Sequence, residues 1–268
     1  MLRATVRSVN IVLTTKGRPQ MAQAIRSRGP VSGTATTQRK RRRTFLGDLY
    51  STAVGKKYAM AITGIMLLGF VLVHMLGNLK MYLGEEEFNH YAEFLRELLV
   101  PIVPRTVVLW LLRLGLIGAV VLHIHAAATL TAMNRNARSV KYQSERDYQV
   151  ANFASRTMRW TGSIVALFVL WHLADLTWGW VNPDFERGQA YSNVAASLDR
   201  LPVALLYIVA NIALGVHLYH GVWSLFQSMG WNNPRFNKWR RQLAIAFATI
   251  IVVGNVSFPV AVLAGVVG

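Results

Sequence analysis

YAMAITGIMLLGFVLVHMLGNLKM, residues 58–81, carries no charged side chain before Lys80 and is spaced with the small residues Gly64 and Gly69. At about 1.5 Å rise per residue, a helix over these residues is about 36 Å long, enough to cross a hydrocarbon core of ~30 Å. Lipid offers no partner to an unpaired backbone N–H or C=O, so helix is the economical conformation. Four further stretches read the same way: about 106–133, 160–180, 202–226 and 243–267. The expected fold is an all-α integral membrane protein, a bundle of five transmembrane helices over residues 46–268.

Composition agrees. Of 268 residues 53% are hydrophobic, 15% are charged and none is cysteine, and the mean hydropathy is +0.32. Soluble domains carry roughly a quarter charged residues, so a soluble enzyme or a nucleic-acid-binding protein is excluded. Without cysteine the chain has no thiolate for an Fe–S cluster, a zinc ribbon, a disulfide or nucleophilic catalysis. Any metal must be held by His or carboxylate.

The net charge of +17 is unevenly placed, with 11 basic and no acidic residues in 1–43, ending in Arg39, Lys40, Arg41, Arg42 and Arg43. The expectation for 1–45 is a disordered, basic cytoplasmic tail. An Arg-rich, acid-free start also resembles an organelle transit peptide or an early start codon; no apolar core of a secretory signal precedes the basic cluster. Lipid is the default contact for such a tail. Beyond it, Arg135, Arg138, Lys141, Arg146, Arg156 and Arg159 fill the second connection, and Arg235, Lys238, Arg240 and Arg241 the fourth. The first and third instead carry Glu85, Glu86, Glu87, Glu93, Glu97, Asp184, Glu186 and Asp199 against only Arg96, Arg105, Arg187 and Arg200. This alternation puts the N-terminus in the cytoplasm and the C-terminus outside.

Six of the seven histidines lie inside spans: His74, His123, His125, His172, His217 and His220. An intramembrane imidazole is expensive without a partner and marks a functional site. Span one starts near Lys57, so His74 lies about 26 Å along its axis; span three starts near Arg159, so His172 lies about 20 Å along. Spans two and four run the other way, from Arg105 and Pro202, and reach His123 and His217 after about 27 and 22 Å. One pair therefore forms in the outer half, His74 with His172, and one in the inner half, His123 with His217. Two bis-imidazole pairs at two depths are the ligand set for two b haems, with no open position for substrate and hence electron transfer as the chemistry. A non-haem di-metal site would gather its histidines near one face instead. His125 and His220 compete with His123 and His217; two residues on a helix are about 200° apart, so His123 and His125 cannot both face one haem. Gly69, Gly77, Gly118, Gly215 and Gly221 would let a flat macrocycle approach the backbone, or serve ordinary helix packing.

GFVLVHMLGNLKMYLGEEEFNHYAEFLR (69–96), LHIHAAATLTAMNRNAR (122–138) and GVHLYHGVWSLFQSMG (215–230) resemble the first, second and fourth helices of the cytochrome b subunit of succinate dehydrogenase/fumarate reductase, of the single-chain, five-helix, di-haem kind. The resemblance covers roughly 45–265 and omits the tail. It implies His74, His123, His172 and His217 as the axial ligands of the two haem irons, with His125 and His220 beside the haems. It further implies an FAD-carrying catalytic subunit and an Fe–S subunit docked on the cytoplasmic face of a bacterial plasma membrane. Electrons from succinate would then reach a quinone, menaquinone in this family reading, and the chain itself has no dicarboxylate site. The assembled complex is open to higher oligomers. Competing readings are the haem anchor of another respiratory dehydrogenase, such as formate dehydrogenase or hydrogenase, and a haem-free transporter or scaffold.

Other polar residues in the spans are assigned around this frame. Arg113 is placed on an outer-haem propionate or against Asp175, and Asn78 on the His74 ring or a propionate. Asp175 is a quinol or proton-relay candidate, and His220 a propionate or quinone contact. Trp223 and Ser224 are candidates for a quinone pocket beside the inner haem.

Overall fold

The computed structural model describes residues 44–137, 153–231 and 233–268. The expected basic tail and most of the second connection, with Arg138, Lys141 and Arg146, lie outside these residues. The regular structure of the described residues is all helix, in the order α1 (Phe45–Ser51), α2 (Ala53–Asn78), α3 (Glu85–Phe94), α4 (Val107–Asn136), α5 (Phe153–Leu176), α6 (Ala190–Asp199), α7 (Leu201–Ser228) and α8 (Asn237–Leu263).

Local sequence explains where these helices start and stop. Thr44 and Thr52 cap α1 and α2, their hydroxyls accepting from the Gly47 and Gly55 backbone N–H groups. Gly55 is required at this corner, because a Cβ there would collide with the Leu49 carbonyl of the folded-back α1. Beyond Asn78 the chain tightens into a 3-10 turn, Leu79–Leu83, and reverses at Gly84, whose φ of 102° suits a residue without Cβ. Three glutamates then occupy the first turn of α3, where the helix dipole favours them. The two connections on this face thus each hold a ten-residue helix, α3 and α6, where plain loops are expected. They clasp each other through Asn89 of α3, whose side-chain oxygen accepts from Tyr191 N at 3.0 Å and so caps α6 from outside.

Among the described residues four helices are long and apolar enough to cross a membrane: α2 with its 3-10 extension, α4, α7, and α8 with the short turn before it. The fifth expected span, α5, has 24 residues, but Arg156 and Arg159 in its first two turns and His172 and Asp175 in its last two break its apolar run. Its standing as a span therefore rests on more than length and composition.

α2 runs against α4, α5 against α7, and α8 against α7, with α2 also touching α7 and α8. The central helix is α7, with 39% of its most apolar window buried, against 6% for α4. The α4 side chains Leu111, Leu112, Leu114, Ile117 and Val121 stay exposed, the surface expected toward lipid. Below, the near face is the one at which α2 and α5 begin; the far face carries α3 and α6. A far-side core joins Met81, Phe88, Leu198, Val203, Tyr207, Phe258 and Val262. A second packs Met75, Leu218, Ala248 and Ile251 between α2, α7 and α8.

Candidate functional site

On the far side, α2 and α5 bring His74 and His172 together, ring centroids 5.9 Å apart and planes at 84°. Phe70 and Phe168, each four residues earlier, flank the imidazoles at 5.2 and 5.8 Å. His172 Nδ1 lies 3.3 Å from the Tyr207 hydroxyl of α7, and that hydroxyl donates to Asp175 Oδ2 at 2.8 Å. Asp175 is wholly buried. It also accepts from Arg200 Nη2 at 2.9 Å and from the Ser197 hydroxyl.

On the near side the histidines sit on α4 and α7 and their seats on α2 and α5. Thr63 Oγ1 is 3.1 Å from His123 Nδ1, and Thr161 Oγ1 is 3.4 Å from His217 Nδ1. The next residues, Gly64 and Gly162, leave room for these rings: a Cβ would come within 3.6 Å of His123 Cε1 and 3.2 Å of His217 Cε1. His217 lies within Coulombic reach of His123 and His220. Thr63 and Thr161 each precede a far-side histidine, His74 or His172, by eleven residues. α2 and α5 are therefore equivalent: each gives one histidine to the far pair and a Thr-Gly seat to the near pair, about 16 Å away along the axis.

Hydroxyl protons assign the tautomers. Thr63 donates its only proton to the Ala59 and Met60 carbonyls, and Thr161 to those of Thr157 and Met158. Each oxygen is thus left to accept from a histidine Nδ1–H. Tyr207 has likewise given its proton to Asp175 and can only accept from His172. Three imidazoles therefore carry the proton on Nδ1 and keep the Nε2 lone pair for a metal. Among the described residues no three His, Asp or Glu side chains gather as a metal site; the units are pairs.

The remaining expected site residues are distributed as follows. Asn78 Nδ2 reaches His74 Nε2 at 3.5 Å. Arg113 is exposed on α4, its guanidinium 5.1 Å over the Trp110 ring. The pairing of Arg113 with Asp175 is corrected: the cation on Asp175 is Arg200, delivered at the start of α7. His125 turns from the near pair and meets Tyr50 of α1, Nδ1 to hydroxyl 2.6 Å. Ser224 donates to the Gly221 carbonyl, and Trp223 lies under the guanidinium of Arg240, 5.1 Å away. Arg240, 1% exposed, was not singled out as a site residue, nor were Thr63, Thr161 and Tyr207; the repeated Thr-Gly spacing is a signal that could have found the threonines. Two of the five glycines are packing residues: a Cβ at Gly77 would strike the Tyr91 ring and one at Gly215 the Val252 side chain. Gly69, Gly118 and Gly221 face open space, with nothing within 4 Å.

The described residues form an all-helical integral membrane protein whose histidines pair between helices. Residues 131–256, from the end of α4 into α8, match the family of the succinate dehydrogenase/fumarate reductase transmembrane subunit. No curated protein and no solved structure matches the chain.

Proposed function

We propose that the chain is the cytochrome b membrane anchor of a succinate:quinone oxidoreductase. In this reading α2, α4, α5, α7 and α8 all cross a bacterial plasma membrane, with the N-terminus cytoplasmic. The observation that carries it is the arrangement of four imidazoles from four helices at two depths, with a hydroxyl at Nδ1 of three of them leaving Nε2 free. The family match over 131–256 supports the same assignment. His74 and His172 would hold one haem b, and His123 and His217 the other. Gly69, Gly118 and Gly221, lying four or five residues from these histidines, leave room for a flat macrocycle. When bound, each haem would supply a one-electron carrier.

The protein's own residues orient and insulate. Thr63, Thr161 and Tyr207 fix the ring tautomers, and Phe70 and Phe168 exclude water from the far pair. Arg113, Asn78, His125 and His220 supply polar groups for propionates or ring orientation, and Trp223 and Ser224, beside the buried Arg240, for a quinone headgroup. The basic near face, with Arg135, Arg235, Lys238 and Arg241, would dock the Fe–S subunit and through it the FAD-carrying subunit. Electrons would leave this chain to menaquinone.

The test is a dithionite-reduced minus oxidised spectrum of the purified complex with a haemochrome count and a flavin assay. Two b haems with co-purifying flavin are expected. His74→Ala and His172→Ala should lose one and the same haem, and His123→Ala and His217→Ala the other. A complex without haem refutes the cytochrome reading; haem without flavin points to the anchor of another dehydrogenase.

A further inference from the structure

We propose that Tyr207, backed by Asp175, is the positioning residue for His172 and sets the reduction potential of the far-side haem. The proposal rests on the haem reading above and goes beyond it by giving the two histidine pairs different electrostatic supports.

The difference lies in where each supporting hydroxyl sends its proton. Thr63 and Thr161 send theirs to neutral backbone carbonyls of their own helices. Tyr207 sends its proton to a carboxylate. Hydrogen bonds to an ionised acceptor are roughly twice as strong as neutral ones, and hydrogen bonds in a chain polarise one another. The Tyr207 oxygen, pulled toward oxyanion character by Asp175, accepts more strongly from His172 Nδ1–H. A stronger pull on that proton makes the imidazole a better donor through Nε2, which favours ferric over ferrous iron and lowers the potential.

The geometry keeps this chain in place. Asp175 is 0% and Tyr207 7% exposed, so neither hydroxyl nor carboxylate has water as an alternative. The Phe168 ring stands edge-on to Tyr207 at 5.0 Å, fixing the phenol. Arg200 holds Asp175 Oδ1, and Ser197 shares Oδ2 with Tyr207, so the carboxylate is anchored on both oxygens. Among the described residues His74 has no comparable support, its polar neighbour being Asn78 at 3.5 Å. Control of this pair therefore comes through His172.

The experiment is equilibrium potentiometry of the purified complex, following both haems in the α band, for the natural protein, Tyr207→Phe, Asp175→Asn and Thr63→Val. Tyr207→Phe removes one oxygen and leaves Asp175 its Arg200 and Ser197 partners. It should shift one haem about fivefold toward the reduced form, ~40 mV upward at 59 mV per tenfold for one electron, with the other haem unmoved. Asp175→Asn should move the same haem in the same direction, and it carries the test should Tyr207→Phe not assemble. Thr63→Val should move only the other haem. If both haems bind and Tyr207→Phe moves neither, or moves both equally, the positioning role is overturned while the haem reading stands. If the natural complex binds no haem, the haem reading itself falls and the proposal with it.

Discussion

Removing the Asp175 carboxylate should cost the fold about 3–5 kcal/mol, the range for breaking a buried ion pair from one side. The structure supplies the parts of that figure. Asp175 is fully buried, and Arg200, whose side chain is 29% exposed, lies 2.9 Å from it. In Asp175→Ala the guanidinium keeps the Val181 carbonyl at 2.8 Å but loses its counter-charge. The Ser197 and Tyr207 hydroxyls lose an acceptor each, at about 0.5–1.5 kcal/mol apiece. At roughly 2–4 °C per kcal/mol for a chain of this size, the midpoint of thermal unfolding in detergent should fall by about 6–20 °C. Arg200→Met alone should also destabilise, by stranding the carboxylate. The double variant should be milder than the sum of the two, by about 1–3 kcal/mol of coupling. Strict additivity, or an Asp175→Ala midpoint within ~2 °C of the natural protein, would refute the argument that this pair organises the far side.

Three further outcomes follow from particular contacts. Gly77→Ala drives a Cβ to 2.6 Å from the Tyr91 hydroxyl and should cost about 1–3 kcal/mol by overpacking, whereas Gly115→Ala meets nothing and should be neutral or stabilising in the same melt. Gly162→Val should push His217 off its seat, so that a haemochrome count drops by one haem while Gly69→Ala retains both. Tyr50→Phe deletes the 2.6 Å bond to His125 and should raise amide hydrogen exchange across Phe45–Ser51, with rates in α7 unchanged.

The long helices were legible because their cause is local. An apolar run of twenty or more residues admits few backbone solutions in lipid, and the expected ends fall within about seven residues of α2, α4, α5, α7 and α8. The exception in degree is α5, whose arginines, histidine and aspartate dilute its apolar character without preventing the helix. α3 and α6 were missed because they are short and polar. α6 lacks a side-chain cap of its own and borrows Asn89, one hundred residues away in the chain.

The histidines divide in the same manner. Rise per residue is a local property, so counting from the ends of the spans sorted His74, His172, His123 and His217 by depth, and the folded chain sets His74 beside His172. Which groups hold the rings was a matter of lateral packing, on which linear counting is silent. Arg113 was the cation expected near Asp175; the structure turns Arg113 outward over Trp110, and the start of α7 brings Arg200 in. Tyr207 drew no reading in the sequence, and only the approach of α7 to α5 makes it the link between a buried carboxylate and an imidazole. The sequence by itself determined the class, the long helices and the positions of the histidines along them, because hydropathy and helical rise act along one chain. The tertiary structure decided tautomers, ion-pair partners and the glycines left facing open space, because those depend on which faces of neighbouring helices meet.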